Sequence, residues 1–289
     1  MGSVCLAEIG WFMERILRVS YRQFFCIFVN PRFIKKVKQE ALLREFKILW
    51  ALFQGDWKRS TRDFSLLWML SSPVVNAFGL YLLLPRLTWF FENDLDLKPY
   101  IPLIVGFVFL WITPLSIGLW STMLFLEEKE SGIQAYAILP INQVGFLSYR
   151  LWLPGLYSFF VILLGLLVAQ PFLLPFGHIS WISFAAALQT PFFIQLLFRF
   201  SNSRMQAIHN GKLLKILGIP MFLAFMWPPG FQNLAGLLFP PYWLLKTYLI
   251  GVNQDPGFTL HLGFTLCIFI LLLIWAKRVF LTAYFNSTC

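Results

Sequence analysis

The chain is 289 residues long, 58% apolar and only 12% charged, with a mean hydropathy of +0.70. A soluble globular domain carries about 25% charged residues, so this composition excludes one: the apolar surface would exceed any core available to take it in. Aromatic residues reach 19%, with many Trp and Tyr at the ends of apolar runs where lipid meets water, and the formal net charge is +10.

Residues 1–40 are basic and mixed. Arg15, Arg18, Arg22, Arg32, Lys35, Lys36 and Lys38 are scattered among Phe24, Phe25, Ile27, Phe28 and Val29. The apolar piece is too short and too interrupted by charge for a signal peptide, and Leu6 stands where myristoylation needs Ser or Thr. A peripheral cytoplasmic arm is expected, with Met13 as an alternative start. Residues 41–63 read as an amphipathic helix. Leu42, Phe46, Leu49, Trp50, Phe53 and Trp57 recur at three and four residues, opposite Arg44, Glu45, Lys47 and Lys58. A Trp/Phe/Leu face backed by a basic one suits a helix lying in the membrane plane; a soluble helix packed on a partner domain is the alternative.

Six spans follow, expected at 64–89, 101–126, 151–174, 179–198, 213–228 and 258–276. About 20 apolar residues at ~1.5 Å each cover the ~30 Å hydrocarbon core. The link after the first span holds Glu92, Asp94 and Asp96 against Lys98, and the third and fourth spans are joined by a proline-bounded turn. After the fourth come Arg199, Arg204, Lys212 and Lys215 with no acid among them. The Lys/Arg bias places the arm and this basic link in the cytoplasm, together with the tail 283–289. The fifth region is irregular: Pro228, Pro229, Pro240 and Pro241 cannot continue a helix ladder in lipid without protein partners. Residues 229–250 are therefore expected as an outer re-entrant or surface segment.

Between the second and third spans, residues 127–150 form a charged hairpin that opens on Glu127, Glu128, Lys129 and Glu130 and continues through Ser131 and Gly132 to Leu139 and Pro140. An ion in hydrocarbon costs about 3 kcal/mol on insertion scales, which sets this segment at the water boundary. A plain connection between antiparallel helices needs only about 2–8 residues, so the length calls for a purpose. Glu127 and Glu130 share a helical face, Gly132 can break that helix, and Leu139 before Pro140 is pushed out of the helical region.

The spans offer few ionisable groups, which argues against an ion-coupled carrier. Neutral polar residues remain: Asn76, Thr113, Ser116, Gln170, Gln189, Gln195 and Thr265. Such groups commonly bond helix to helix; the other reading makes Asn76, Thr113, Ser116, Gln189 and Gln195 a translocation path. His178, His209 and His261 are far apart with no carboxylate at metal-ligand spacing, and neither HExxH nor GxSxG occurs. Gly211-Lys212 is followed by Leu213, so no phosphate-binding loop is formed, and the chain is expected to bind no cofactor and to catalyse no reaction of its own. Cys5, Cys26, Cys267 and Cys289 lack any pair spacing, so a disulfide is not expected.

These features together resemble the membrane-spanning permease subunits of bacterial type-2 ABC exporters, the family of drug, polysaccharide and natural-product export permeases. The resemblance rests on the interfacial helix before the first span and the basic-acidic stretch 59–63. It rests also on the cytoplasmic EEKESG run ending in Leu-Pro-Ile and the proline-rich FPPYWLLKTYL before the last span. It implies an all-α, six-span subunit of the inner membrane with both termini cytoplasmic, paired with a second permease copy or paralogue. The hairpin, with Glu127, Glu128, Glu130, Gly132, Leu139 and Pro140, would dock on a separate ATPase subunit present in two copies, where ATP and Mg are held; no nucleic acid is implied. The competing class is a membrane assembly factor or lipid-handling scaffold that transports nothing.

Overall fold

A computed structural model of the chain describes residues 31–91, 98–130, 143–169, 174–225 and 239–286, and every element among them is helical. Two compact units are present, Met1–Gly55 and Asp56–Cys289. Of the first, the described part is the opening of a long helix, α1 (Pro31–Arg62), which starts well before the expected 41 because Pro31 suits the first helical turn, where no N–H is needed. Within this unit Trp50 and Phe53 pack ring to ring at 5.5 Å.

The second unit opens with the end of α1 and continues as α2 (Phe64–Phe91), α3 (Ile101–Phe107), α4 (Thr113–Glu130), α5 (Gln143–Ala169), α6 (Phe176–Ala187), α7 (Gln189–Phe200), α8 (Arg204–Ala224), α9 (Pro241–Val252) and α10 (Phe258–Asn286). Five stretches are long and apolar enough to cross a membrane: Phe64–Phe90, Ile101–Glu130, Phe146–Ala169, Phe176–Phe200 and Phe258–Arg278. This is a multi-pass membrane protein. The expected span at 213–228 is not among the five. Its described part, 213–225, falls mostly on α8, which also carries Arg204, His209, Asn210, Lys212 and Lys215, and 226–228 lie outside the described residues. The second span also extends past the expected 126, since the EEKE run completes α4 instead of leaving it.

The core is built around α3 and α4, which a π-helical turn, Val108–Ile112, joins into one rod. The turn has a local cause. Pro114 has no N–H to give the Leu110 carbonyl one turn back, so the ladder shifts: the Thr113 N–H and hydroxyl both turn to the Val108 carbonyl, the latter at 3.1 Å. The orphaned Leu110 oxygen accepts instead from the Gln189 side-chain amide, 3.1 Å away on α7. The same repair recurs twice. Pro154 frees the Arg150 carbonyl, which accepts from the Ser121 hydroxyl at 3.1 Å, and Pro73 frees the Met69 carbonyl, which accepts from Ser72 at 3.2 Å. In lipid no water can do this, so hydroxyls and amides from neighbouring turns or helices must.

Glycines set the closest approaches to this rod. A Cβ on Gly165 of α5 would overlap the Phe109 ring, and one on Gly218 of α8 would overlap the Trp111 indole. Along α8 the buried residues Ala207, Gly211, Gly218, Met221 and Ala224 form one stripe, with Gly211 against Leu119. Small residues of this kind let helix backbones meet where no hydrophobic effect drives them together. At one end of the bundle His178 stacks on Phe258 at 4.0 Å, and Gly251 sits beside Leu174 and Phe258. There α9, with Tyr242, Leu244, Leu245 and Tyr248 all buried, closes over Gly106. At 12 residues α9 is ~18 Å long, too short to cross, and its burial does not suit the surface-lying alternative.

Candidate functional site

The opposite end carries a network of charges. Asp56 near the end of α1, Glu128 near the end of α4 and Arg150 near the start of α5 are all buried, at 4%, 8% and 3% exposure. The Arg150 guanidinium forks: Nη1 donates to Asp56 Oδ2 at 2.6 Å and Nη2 to Glu128 Oε1. The Tyr149 hydroxyl donates to the same Asp56 oxygen at 3.0 Å, and Arg59 reaches Glu128 Oε1 at 3.4 Å from the exposed side. Two guanidiniums and two carboxylates sum to zero charge, which is what allows the group to leave water. Around it, Arg150 lies over the Phe146 and Tyr149 rings, and the Trp120 indole N–H donates to Ser60 Oγ at 2.9 Å.

A second, more exposed group adjoins the first in sequence. Asp63 caps α2: its Oδ1 accepts from the Ser65 N–H at 2.9 Å and the Ser65 hydroxyl at 2.6 Å, while Oδ2 pairs with Arg204. The Ser65 hydrogen bonds, with the Arg204 guanidinium, hold the Asp63 carboxyl down to about 2. Arg204 opens α8, where Ser203 accepts from the Gln206 N–H and the Gln206 side chain accepts from the Asn202 N–H. The Arg204 backbone N–H donates to Glu130 at 2.9 Å, and its guanidinium stands 3.9 Å from Glu127.

The acidic run is thus tied down residue by residue: Glu127 and Glu130 towards α8, Glu128 to α1 and α5, and Lys129 over the Phe198 ring of α7 at 5.6 Å. Gly132, Leu139 and Pro140 lie outside the described residues, as does Gln170. Sequence patterning sets 127–150 at the water boundary; within it Glu128 and Arg150 are buried, because each has the other as partner. The member that patterning passes over is Asp56. Its signal is a register: Leu49, Phe53, Asp56 and Ser60 share one helical face, so an acid stands in an apolar stripe.

The expected path residues lie on α2, α4 and α7. Thr113 and Gln189 are fully buried and serve the π-turn. Ser116 is buried with its hydroxyl unpartnered among the described residues, Gln195 is buried with Oε1 unpartnered, and Asn76 is half-buried on α2. Thr265 shares a 2.9 Å hydroxyl contact with Thr247, joining α9 to α10. No cluster of three or more His, Cys, Asp or Glu suited to a metal occurs among the described residues.

Compared with known families, residues 56–277 match the model described as fluoroquinolones export permease protein Rv2686c-like. The match runs from the buried Asp56 to the end of the last span and takes in the whole charged network. The chain belongs to this family. It is therefore a transporter permease, in agreement with the resemblance to ABC exporter permeases. A comparison with curated proteins returns no match.

Proposed function

We propose that this permease is the membrane half of an ATP-driven exporter, working in the cytoplasmic membrane as one of a pair, with ATP and Mg held by separate ATPase subunits. The observation that carries the reading is the anchoring of the EEKE run. Glu130 closes α4 and Gln143 opens α5, and the buried Glu128–Arg150–Asp56 group joins these two helices to the end of α1. A load applied to residues 131–142 is delivered to α4, α5, α1 and α8 together, because the ion pairs join their ends. That is what a motor acting from outside the membrane needs. The charged end is the cytoplasmic one on this reading, since Arg59, Arg62, Arg199 and Arg204 stand at helix ends there and Lys277 and Arg278 close the last apolar stretch.

A sixth crossing belongs to the same proposal. Arg204 meets Glu130 at the charged end, Gly211 meets Leu119, Gly218 meets Trp111, and the Phe222 ring meets Phe107 at 5.4 Å. From Arg204 to Phe222 a helix rises about 27 Å, close to the hydrocarbon thickness. The chain then reaches Phe258 beside His178, at the far end. What supports the crossing is this antiparallel run along α4 and α3, with the Lys212 and Lys215 side chains long enough to snorkel. Six crossings bring both termini to the cytoplasm, where α1 would lie along the membrane surface.

The test is purification of the permease with a partner ATPase in mild detergent, followed by ATP hydrolysis in proteoliposomes. We expect ATPase activity to copurify and a fluoroquinolone to stimulate it. Glu130→Lys and Gly132→Leu should preserve insertion but reduce the stimulation; full stimulation in both variants would falsify the coupling role of this end.

A further inference from the structure

At the charged end, α5, α7 and α10 enclose a cavity of about 480 Å³, open to one side. Its walls are mostly aliphatic, which in a membrane protein invites nothing more than an acyl chain. Four residues change that. Trp152 offers a half-exposed indole face, Ser148 a hydroxyl, Lys277 an ammonium at the rim, and Gln195 a side-chain amide from the floor. Gln195 is only 5% exposed, yet its Oε1 has no hydrogen-bond partner among the described residues. A buried acceptor left unpaired is costly, and a hydrocarbon tail brings no donor to relieve it. Nor does Lys277 form an ion pair among the described residues, in contrast to Arg59, Arg150 and Arg204.

We propose that this cavity is a binding site for a planar aromatic carboxylate that also carries a hydrogen-bond donor, reached sideways from the cytoplasmic leaflet. The inference rests on the exporter reading above and gives that exporter a loading site. The ring lies against Trp152, the carboxylate is held by Lys277 and Ser148, and the donor meets Gln195 Oε1. The volume is in the ~300–1,000 Å³ range of drug-sized sites. Pro191 lines the cavity and cannot donate to the Ala187 carbonyl, and the helix breaks between α6 and α7 just before it. Fluoroquinolones, named in the family description, have this chemistry.

The experiment is equilibrium binding of a fluoroquinolone, followed by its own fluorescence anisotropy, to the full-length permease in nanodiscs of phosphatidylcholine. Saturable binding is expected, weakened about tenfold by Gln195→Leu and by Lys277→Gln and kept by Lys277→Arg, as befits a charge-assisted contact. Lys277 is exposed, so its variants report even if Gln195→Leu folds poorly. A second measurement uses lipids brominated on the acyl chain. Drug should protect the permease from tryptophan quenching in wild type and lose that protection in Trp152→Phe. Absence of binding to wild type, unchanged binding in both Gln195→Leu and Lys277→Gln, or quenching untouched by saturating drug overturns the site in favour of a lipid occupant. These outcomes separate from the exporter reading. Drug-stimulated ATP hydrolysis with unaltered binding in the variants sinks the site alone, whereas variant-sensitive binding without any copurifying ATPase supports the site and sinks the exporter.

Discussion

The first two spans are both strongly apolar, yet only 17% of the residues in the most apolar stretch of α2 are buried, against 67% in that of the α3–α4 rod. What separates them is the kind of apolar sequence. The exposed wall of α2 is large and greasy: Trp68, Phe78, Tyr81, Leu82 and Trp89 stand out from the bundle. The rod carries Thr113, Pro114, Ser116, Gly118, Ser121 and Thr122, all buried. In a bilayer, lipid accepts a leucine as readily as a protein core does, so apolarity decides whether a helix enters the membrane and not where it sits. Small and hydroxylated residues decide that, by letting backbones approach and by serving the carbonyls that prolines leave bare.

The largest test of this contrast compares two arginines. Arg150→Met leaves Asp56 and Glu128 buried without their common partner and should cost about 3–5 kcal/mol, read as a fall in the thermal unfolding midpoint in detergent. Arg86, exposed on α2, should tolerate the same change with little shift. Adding Asp56→Asn and Glu128→Gln to Arg150→Met should recover most of the loss, because the uncompensated charges are then gone. If the triple variant is no more stable than Arg150→Met, the network is not held by charge.

Next come the glycines. Gly218→Ala and Gly165→Ala drive a methyl into the Trp111 indole and the Phe109 ring, and overpacking of this sort costs about 1–3 kcal/mol. Gly79→Ala on α2 meets nothing within 4 Å and should gain about 0.5–1 kcal/mol from helix propensity alone. Equal effects at Gly79 and Gly218 would remove the distinction between lipid face and core.

A smaller effect is expected where Gln189 serves the π-turn. Gln189→Leu strands the Leu110 carbonyl and should cost about 1 kcal/mol, the usual size of such bonds in membrane bundles. Pro114→Ala restores an N–H that can return to Leu110, so Gln189→Leu should cost less in that background. Additive effects in the double-mutant cycle would mean that Gln189 is not a repair residue, and would return it to the set of path candidates.

These cases also show what could be read in advance. The membrane class, the boundaries near Phe64, Ile101 and Phe258 and the acidic run at 127–130 are all visible as composition and charge, because the cost of burying charge shapes sequence locally. The burial of Arg150 was not, since a charge is excluded from lipid only until it finds partners. Its partners are Asp56 and Glu128, and nothing in the spacing along the chain announces that they meet. Gln189 was legible as a polar residue but not as a repair, and Ser121 was passed over, for the carbonyls they serve belong to other elements. The helix α8 was legible as an apolar run at 213–228 although Lys212 and Lys215 dilute it, but the small-residue stripe by which it packs was not.

The smallest expected effect lies at the start of α2, where Asp63 does two things at once. Its carboxylate caps the helix through Ser65 and pairs with Arg204, and with its pKa lowered to about 2 it favours the folded state only while charged. A depressed carboxyl contributes fully above the ordinary range near ~4 and loses that contribution as pH falls from there through about 2. Asp63→Asn keeps a capping oxygen but drops the charge, so the gap between wild type and variant should be constant from pH 7 to about 5 and narrow on further acidification. The pair is more than a third exposed on the Asp63 side, so water screens it and the gap should be small. Asp63→Ala should add the loss of the cap, about 1 kcal/mol, and this addition should not vary with pH, since neither variant titrates at this position. Unfolding midpoints of the three proteins across the acid range decide it: a gap between wild type and Asp63→Asn that widens on acidification would mean that the charge on Asp63 opposes the fold.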